Sequence, residues 1–208
     1  TPDEAAERLM APLRRMEPLV PKYFLHLPKA PYGVKRLDPI LEGCTATFGN
    51  YEVPTAVEPR GLYRYNGSKL AERPLLNAAA LIYHELIPGH HFQFSLQREN
   101  EALPMFRRVA DYSPFGEGWA LYCESLGKEL GLYQDPYQYF GMLSAEMHRA
   151  IRLVVDTGMH ARGWTREQAI QYSLDHEAMS EAGIESEIER YMAWPGQALS
   201  YKIGQLKI

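Results

Sequence analysis

Apolar and polar positions along the chain predict a mostly helical protein with one early interruption of strands. Phe115, Trp119, Tyr122, Leu126 and Leu130 recur at steps of three and four, which puts them on one face of a helix. The preceding Asp111-Tyr-Ser-Pro-Phe-Gly supplies its start, with Ser113 or a neighbour as cap, and Gly131 supplies its stop. Pro74 opens a helix through LLNAAALIYHEL, which is apolar on almost every side and is therefore expected to be central and buried. TPDEAAERL begins a helix over about 2–19, with Thr1 as cap and Pro2 in the first position. Asp135-Pro136 opens a long helix towards Asp156, Thr165 to Gln168 reads as a capping box, and the last helices flank Pro195-Gly196. From Pro21 to about Asn66 the pattern changes. TATFGNYEV and GLYRYNG predict short antiparallel strands and loops there.

Composition bounds this picture. With 208 residues, 46% of them apolar, the chain can form one sizeable domain over residues 1–208. A net charge of -4 and the lack of a lysine-arginine run argue against a nucleic-acid partner. No apolar stretch has membrane-spanning length, and no secretory signal opens the sequence. A fragment would start in the same way, so both a cytoplasmic and an exported location stay open. Cys44 and Cys123 form no zinc-type CxxC pair; two buried thiols are expected rather than a disulfide.

The chemistry concentrates in YHELIPGHHFQFSL, from Tyr83 to Leu96. Three of the seven histidines, His84, His90 and His91, fall within eight residues. Downstream, GEGWALYCE places Glu117 and Glu124 seven residues apart on one helix face. Buried charges of this kind are costly unless paired or coordinated. A hydrolytic zinc site needs two imidazoles, one carboxylate ligand, an open position, and a second carboxylate to take a proton from water. An HExxH helix meets this with histidines four apart. Here the fourth position is Pro88. In an unbroken helix, His90 would face away from His84, and His91 would lie about 10 Å further along the axis. Pro88 breaks the hydrogen-bond ladder and Gly89 tolerates a tight loop. If two or three residues bulge out, His90 or His91 returns to the position of the second ligand. The alternative is a surface helix end carrying a proton-sensitive histidine pair.

HELIPGHHFQ, the preceding GLYRYN, and the later RLVVDTGMHARGWTREQAI and ERYMAWPGQALSYKIG resemble the bacterial family known as domain of unknown function 885, whose hallmark is HExxPGHH. The resemblance runs from about Pro59 to the end. Its members are longer, which implies that this chain is a C-terminal portion that works with an N-terminal half or an oligomer partner. That family is in turn similar to gluzincin metallopeptidases of the angiotensin-converting-enzyme and thimet-oligopeptidase groups. The similarity implies a zincin-like helical domain, one Zn2+ ion and a peptide substrate. It gives Glu117 as third ligand beside His84, and Glu85 as catalytic base. HFQFSLQ is similar to the segment after the second zinc histidine, a register that favours His91 over His90. Tyr191 resembles the tyrosine that donates to the oxyanion, and Tyr201 is the second choice.

Several residues stay open between two readings. Glu124 either orients a ligand histidine or sits on a solvated face. His160 is a donor to substrate or oxyanion, or a structural histidine. Arg149, Arg152 and Asp156 form an ion-pair ladder or a clamp for a substrate carboxylate. The early strands could offer an edge to an extended peptide. Two other functions compete with the peptidase. A ferritin-like di-metal protein needs Glu-x-x-His pairs, and no glutamate here has a histidine three residues later. A non-catalytic binding module would hold a structural metal with four protein ligands, or none.

Overall fold

Thr1 and Glu4 form a reciprocal capping box at the head of the first helix, α1 (Pro2–Met16), as the opening residues predict. The structure, a computed structural model, describes residues 1–44, 48–73 and 75–208, without the side chains of Cys44 and Glu72. The expected start at Pro74 lies outside the described residues. After a short helix, α2 (Val20–Tyr23), come three strands: β1 (Tyr32–Arg36), β2 (Gly49–Glu52) and β3 (Gly61–Tyr65). Their order is β1-β3-β2. Only β2 runs antiparallel to β3; β1 runs parallel to it, with Val34 opposite Tyr63. The sheet is therefore mixed where antiparallel strands were expected. Sequence alternation marks strands but does not encode the direction in which β1 enters.

The further α-helices among the described residues are α3 (Ala78–Glu85), α4 (His90–Glu99), α5 (Met105–Val109), α6 (Ser113–Glu129), α7 (Pro136–Arg162), α8 (Arg166–His176), α9 (Glu181–Ala193) and α10 (Ser200–Lys207). Their ends follow local chemistry. Asp135 caps α7 through the Tyr137 amide, Thr165 forms a capping box with Gln168 on α8, and Gly131 and Gly163 take left-handed conformations beyond α6 and α7. At α6 the cap position is Tyr112, and no side chain caps it.

Two apolar clusters hold the helices. In the first, Leu9, Leu13 and Met16 of α1 pack on Ile82, Tyr83 and Leu86 and against Tyr63 of the sheet. This makes α3 the buried central helix its sequence predicts. In the second, Ile151 and Val155 of α7 meet Ile170, Ile184 and Ile188. Helices α6 and α10 touch through glycine: a Cβ on Gly118 would strike the Gly204 backbone. That close approach brings Glu117 and Tyr201 to the same cavity. Cys123 is a free, buried thiol. Among the described residues no helix is long and apolar enough to cross a membrane.

Candidate metal centre

Helix α3 ends at Glu85 and α4 begins at His90, so residues 86–89 are the break that Pro88 predicts. Gly89 packs so tightly on the end of α3 that a Cβ would run into the carbonyl oxygens of Tyr83 and His84. Only glycine fits there. The Trp119 indole donates to the Pro88 carbonyl at 2.8 Å, and Gln93 donates to the Phe115 carbonyl at 3.1 Å. Both bonds tie the break and α4 to α6, the helix that carries Glu117.

His84 Nε2 and His90 Nε2 each stand 3.3 Å from Glu117 Oε2. The three ligand atoms lie within 4.8 Å of one another. Ligands about 2.1 Å from a tetrahedral ion stand about 3.4 Å apart, so this spacing suits one small cation. Glu117 Oε2 is buried and makes no hydrogen bond in this arrangement. The His84 ring meets His90 edge-on at 4.7 Å, and His90 stacks on Phe94, one turn later on α4. On its other side, His84 Nδ1 donates to Glu124 Oε1 at 2.7 Å. Glu124 is buried and thereby orients His84, leaving Nε2 for the cluster.

The electrostatics favour a cation. Burial alone would lower the His84 pKa, but contact with Glu117 and Glu124 raises it to about 10. Burial would raise Glu117, yet the two imidazoles hold it well below the usual carboxylate range. The centre thus retains a proton on His84 that a metal ion would displace. Burial raises the Glu85 carboxyl, and the neighbouring His84, His90 and Arg149 charges offset only part of that rise. It lines a cavity of about 340 Å³ together with His84, His90, Glu117 and Tyr201.

His84, Glu85, His90, Glu117 and Tyr201 therefore meet. The other three expected residues do not. His91, favoured by the register of the resemblance, turns to the sheet: its Nε2 donates to the Ala30 carbonyl and its Nδ1 accepts from the Tyr51 hydroxyl, both at 3.0 Å. Both nitrogens are engaged, and burial lowers the ring's pKa to about 4. The break therefore skips two residues and not three. Tyr191 lies behind the cavity, donating to Glu187 and accepting from Arg152, each at 2.7 Å. His160 donates to the Tyr191 carbonyl at 3.1 Å, a structural bond. Tyr201, the second choice, stacks on His84 at 6.1 Å and lines the cavity. Sequence reasoning missed Tyr51, Phe94, Asp111 and Ser113 as cavity residues. Phe94, four residues after His90, carried a helical-spacing signal; the others had none beyond their place in a strand or a cap segment.

No curated protein matches the chain. Among solved structures, the "putative lipoprotein" from Colwellia psychrerythraea is 40% identical with a TM-score of 0.93, aligned over 99% of this chain and 35% of its own. A second, from Shewanella oneidensis and of unknown function, is 21% identical with a TM-score of 0.74 and shares the fold over 100% of this chain and 39% of its own. The chain thus spans little more than a third of either protein. Residues 1–208 match one family throughout, and the chain belongs to it: the bacterial proteins of unknown function DUF885.

Proposed function

We propose that this chain carries a gluzincin-type, single-zinc hydrolytic centre and cleaves peptide bonds. What carries the reading is the convergence of His84 Nε2, His90 Nε2 and Glu117 Oε2 beside a cavity whose wall includes a further carboxyl, Glu85. Two imidazoles and one carboxylate are a catalytic donor set, whereas a structural zinc takes four protein ligands. His91, the remaining histidine of the cluster, has both nitrogens engaged, which speaks against the structural reading.

When bound, the ion supplies Lewis acidity, polarising a substrate carbonyl and acidifying water. The chain's own residues do the rest. Glu85 accepts the proton of the attacking water and returns it to the leaving amine; its raised pKa suits a group that does both. The Tyr201 O–H donates a hydrogen bond to the developing oxyanion. Glu124 keeps His84 in the tautomer that presents Nε2. Strand β2 pairs with β3 on one side only among the described residues, and Asn50 and Tyr51 line the cavity, so an extended peptide can add along its outer edge. An exported setting is part of the proposal, because the Colwellia relative bears a lipoprotein name.

The test is metal content followed by cleavage of a peptide library with and without a chelator. The reading expects about one zinc per chain, cleavage abolished by the chelator, and loss of cleavage with retained metal in Glu85→Gln. Bound zinc with no cleavage of any peptide would refute it.

A further inference from the structure

The two imidazoles that face Glu117 are held in different ways. His84 has a hydrogen-bonded partner behind it, Glu124, at 2.7 Å from its Nδ1. His90 Nδ1 is buried and makes no hydrogen bond among the described residues. What surrounds the His90 ring is aromatic. Phe94 lies nearly parallel to it, with 5.3 Å between centroids and 12° between planes. Tyr51 of β2 is the second such ring, at 6.4 Å and 25°. Both spacings fall in the range where offset rings attract. The His84 ring meets His90 edge-on, at 89°.

Both flanking rings are themselves held. Phe94 stands one turn after His90 on α4, on the same helix face. It abuts α6 at Gly116, where a Cβ would come within 3.1 Å of the ring. Gly116 precedes Glu117, so Phe94 is wedged between the second imidazole and the backbone that carries the carboxylate. Tyr51 pairs with Tyr63 across the sheet, and its hydroxyl donates to His91 Nδ1 at 3.0 Å. A Cβ on Gly61 would strike both that hydroxyl and the His91 ring, so the pair packs directly on the β3 backbone. One tyrosine thus serves two neighbours in the chain. Its hydroxyl ties His91 to the sheet, and its ring flanks His90.

We propose that Phe94 and Tyr51 are positioning residues of the metal centre: by stacking they hold the His90 ring ready for the ion, as the Glu124 carboxylate does for His84. This rests on the metal reading of the triad. A free histidine side chain has three χ1 wells and two for χ2, about six poses, of which one aims Nε2 at Glu117. Metal affinity scales with the fraction of chains in the competent pose. Loss of one flanking ring should therefore weaken binding about threefold, and loss of both by up to about sixfold.

The test measures zinc affinity by competition with a chromophoric chelator at one pH, which separates affinity from the amount of competent protein. Phe94→Leu should bind about threefold more weakly, and Phe94→Tyr, which restores a ring, as tightly as the wild type. Tyr51→Phe keeps the ring and loses the hydroxyl, so it should also match the wild type, whereas Tyr51→Leu should not. The visible d–d bands of the cobalt(II)-loaded protein should change in the two leucine variants only. In the metal-free protein, the His90 ring resonances, assigned by their loss in His90→Gln, should be one narrow set in the wild type and broadened in Phe94→Leu. Equal affinity in Phe94→Leu and the wild type, or a loss in Phe94→Tyr as large as in Phe94→Leu, overturns the positioning role. If Phe94→Leu does not fold, Tyr51→Leu against Tyr51→Phe decides in the same way. A wild type that binds no zinc sinks the metal reading. The resonances then judge the ring clamp alone: broadening in Phe94→Leu keeps it, and an unchanged spectrum overturns it too.

Discussion

Glu124→Gln is the most informative perturbation of the centre's support. The Glu124 carboxylate accepts from His84 Nδ1 at 2.7 Å, and both side chains are buried. A carboxylate behind a ligand imidazole typically contributes about 10–100-fold in metal affinity, or about 1.4–2.7 kcal/mol. Glutamine keeps the shape and an acceptor oxygen but removes the charge. Two effects then oppose each other. The imidazole becomes a poorer ligand, and it also gives up its proton more easily, because Glu124 helps raise its pKa to about 10. At pH 6.5 the easier proton loss masks part of the defect. Near pH 10, where proton competition fades, the full weakening should show. Competition with a chromophoric zinc chelator across this range measures both. Wild-type affinity in Glu124→Gln at every pH, with unchanged far-UV circular dichroism, would refute the claim that Glu124 sets the ligand state of His84.

The same geometry sets three further outcomes. With the folded pKa of His84 raised from 6.5 to about 10, zinc binding should release close to one proton below pH 9, seen by calorimetry in buffers of different ionisation enthalpy; the metal-free protein should lose the stability due to this group as pH rises from 6.5 through 10 in denaturant melts, and a pH-independent melt would contradict this. His91→Gln should retain full zinc content while costing about 1–3 kcal/mol of stability, because Tyr51 and the Ala30 carbonyl lose their partner, whereas His90→Gln should lose the metal; metal analysis and chemical denaturation check both. Gly118→Ala should destabilise by about 1–3 kcal/mol, since its Cβ meets the Gly204 backbone and not a movable side chain; a wild-type melt would show that α6 and α10 can separate freely.

What the sequence revealed and withheld has a physical pattern. Features carried by near neighbours were legible: the Thr1 and Thr165 caps, Asp135 before α7, the stop at Gly131, and the break at Pro88. That Glu117 and Glu124 share one helix face was legible from their spacing of seven, but whether Glu124 meets His84 or solvent was not, because that depends on how α6 packs on α3. The choice between His90 and His91 was not legible either. It depends on how Gly89 seats against the end of α3, and on a strand residue, Tyr51, that binds His91 from 40 positions away. Which of Tyr191 and Tyr201 lines the cavity was hidden for a similar reason. Both lie near the chain's end, and only the close approach of α10 to α6 decides which one reaches the cavity. The direction of β1 was likewise set by packing and not by alternation.

The central claim is that His84, His90 and Glu117 hold one ion with a position left open towards Glu85. Anomalous scattering at the zinc edge from crystals of the zinc-loaded chain tests it most directly. The account predicts a single peak bonded to His84 Nε2, His90 Nε2 and Glu117, with no fourth protein ligand. A peak on His91, a fourth protein ligand, or no peak at this triad would contradict it.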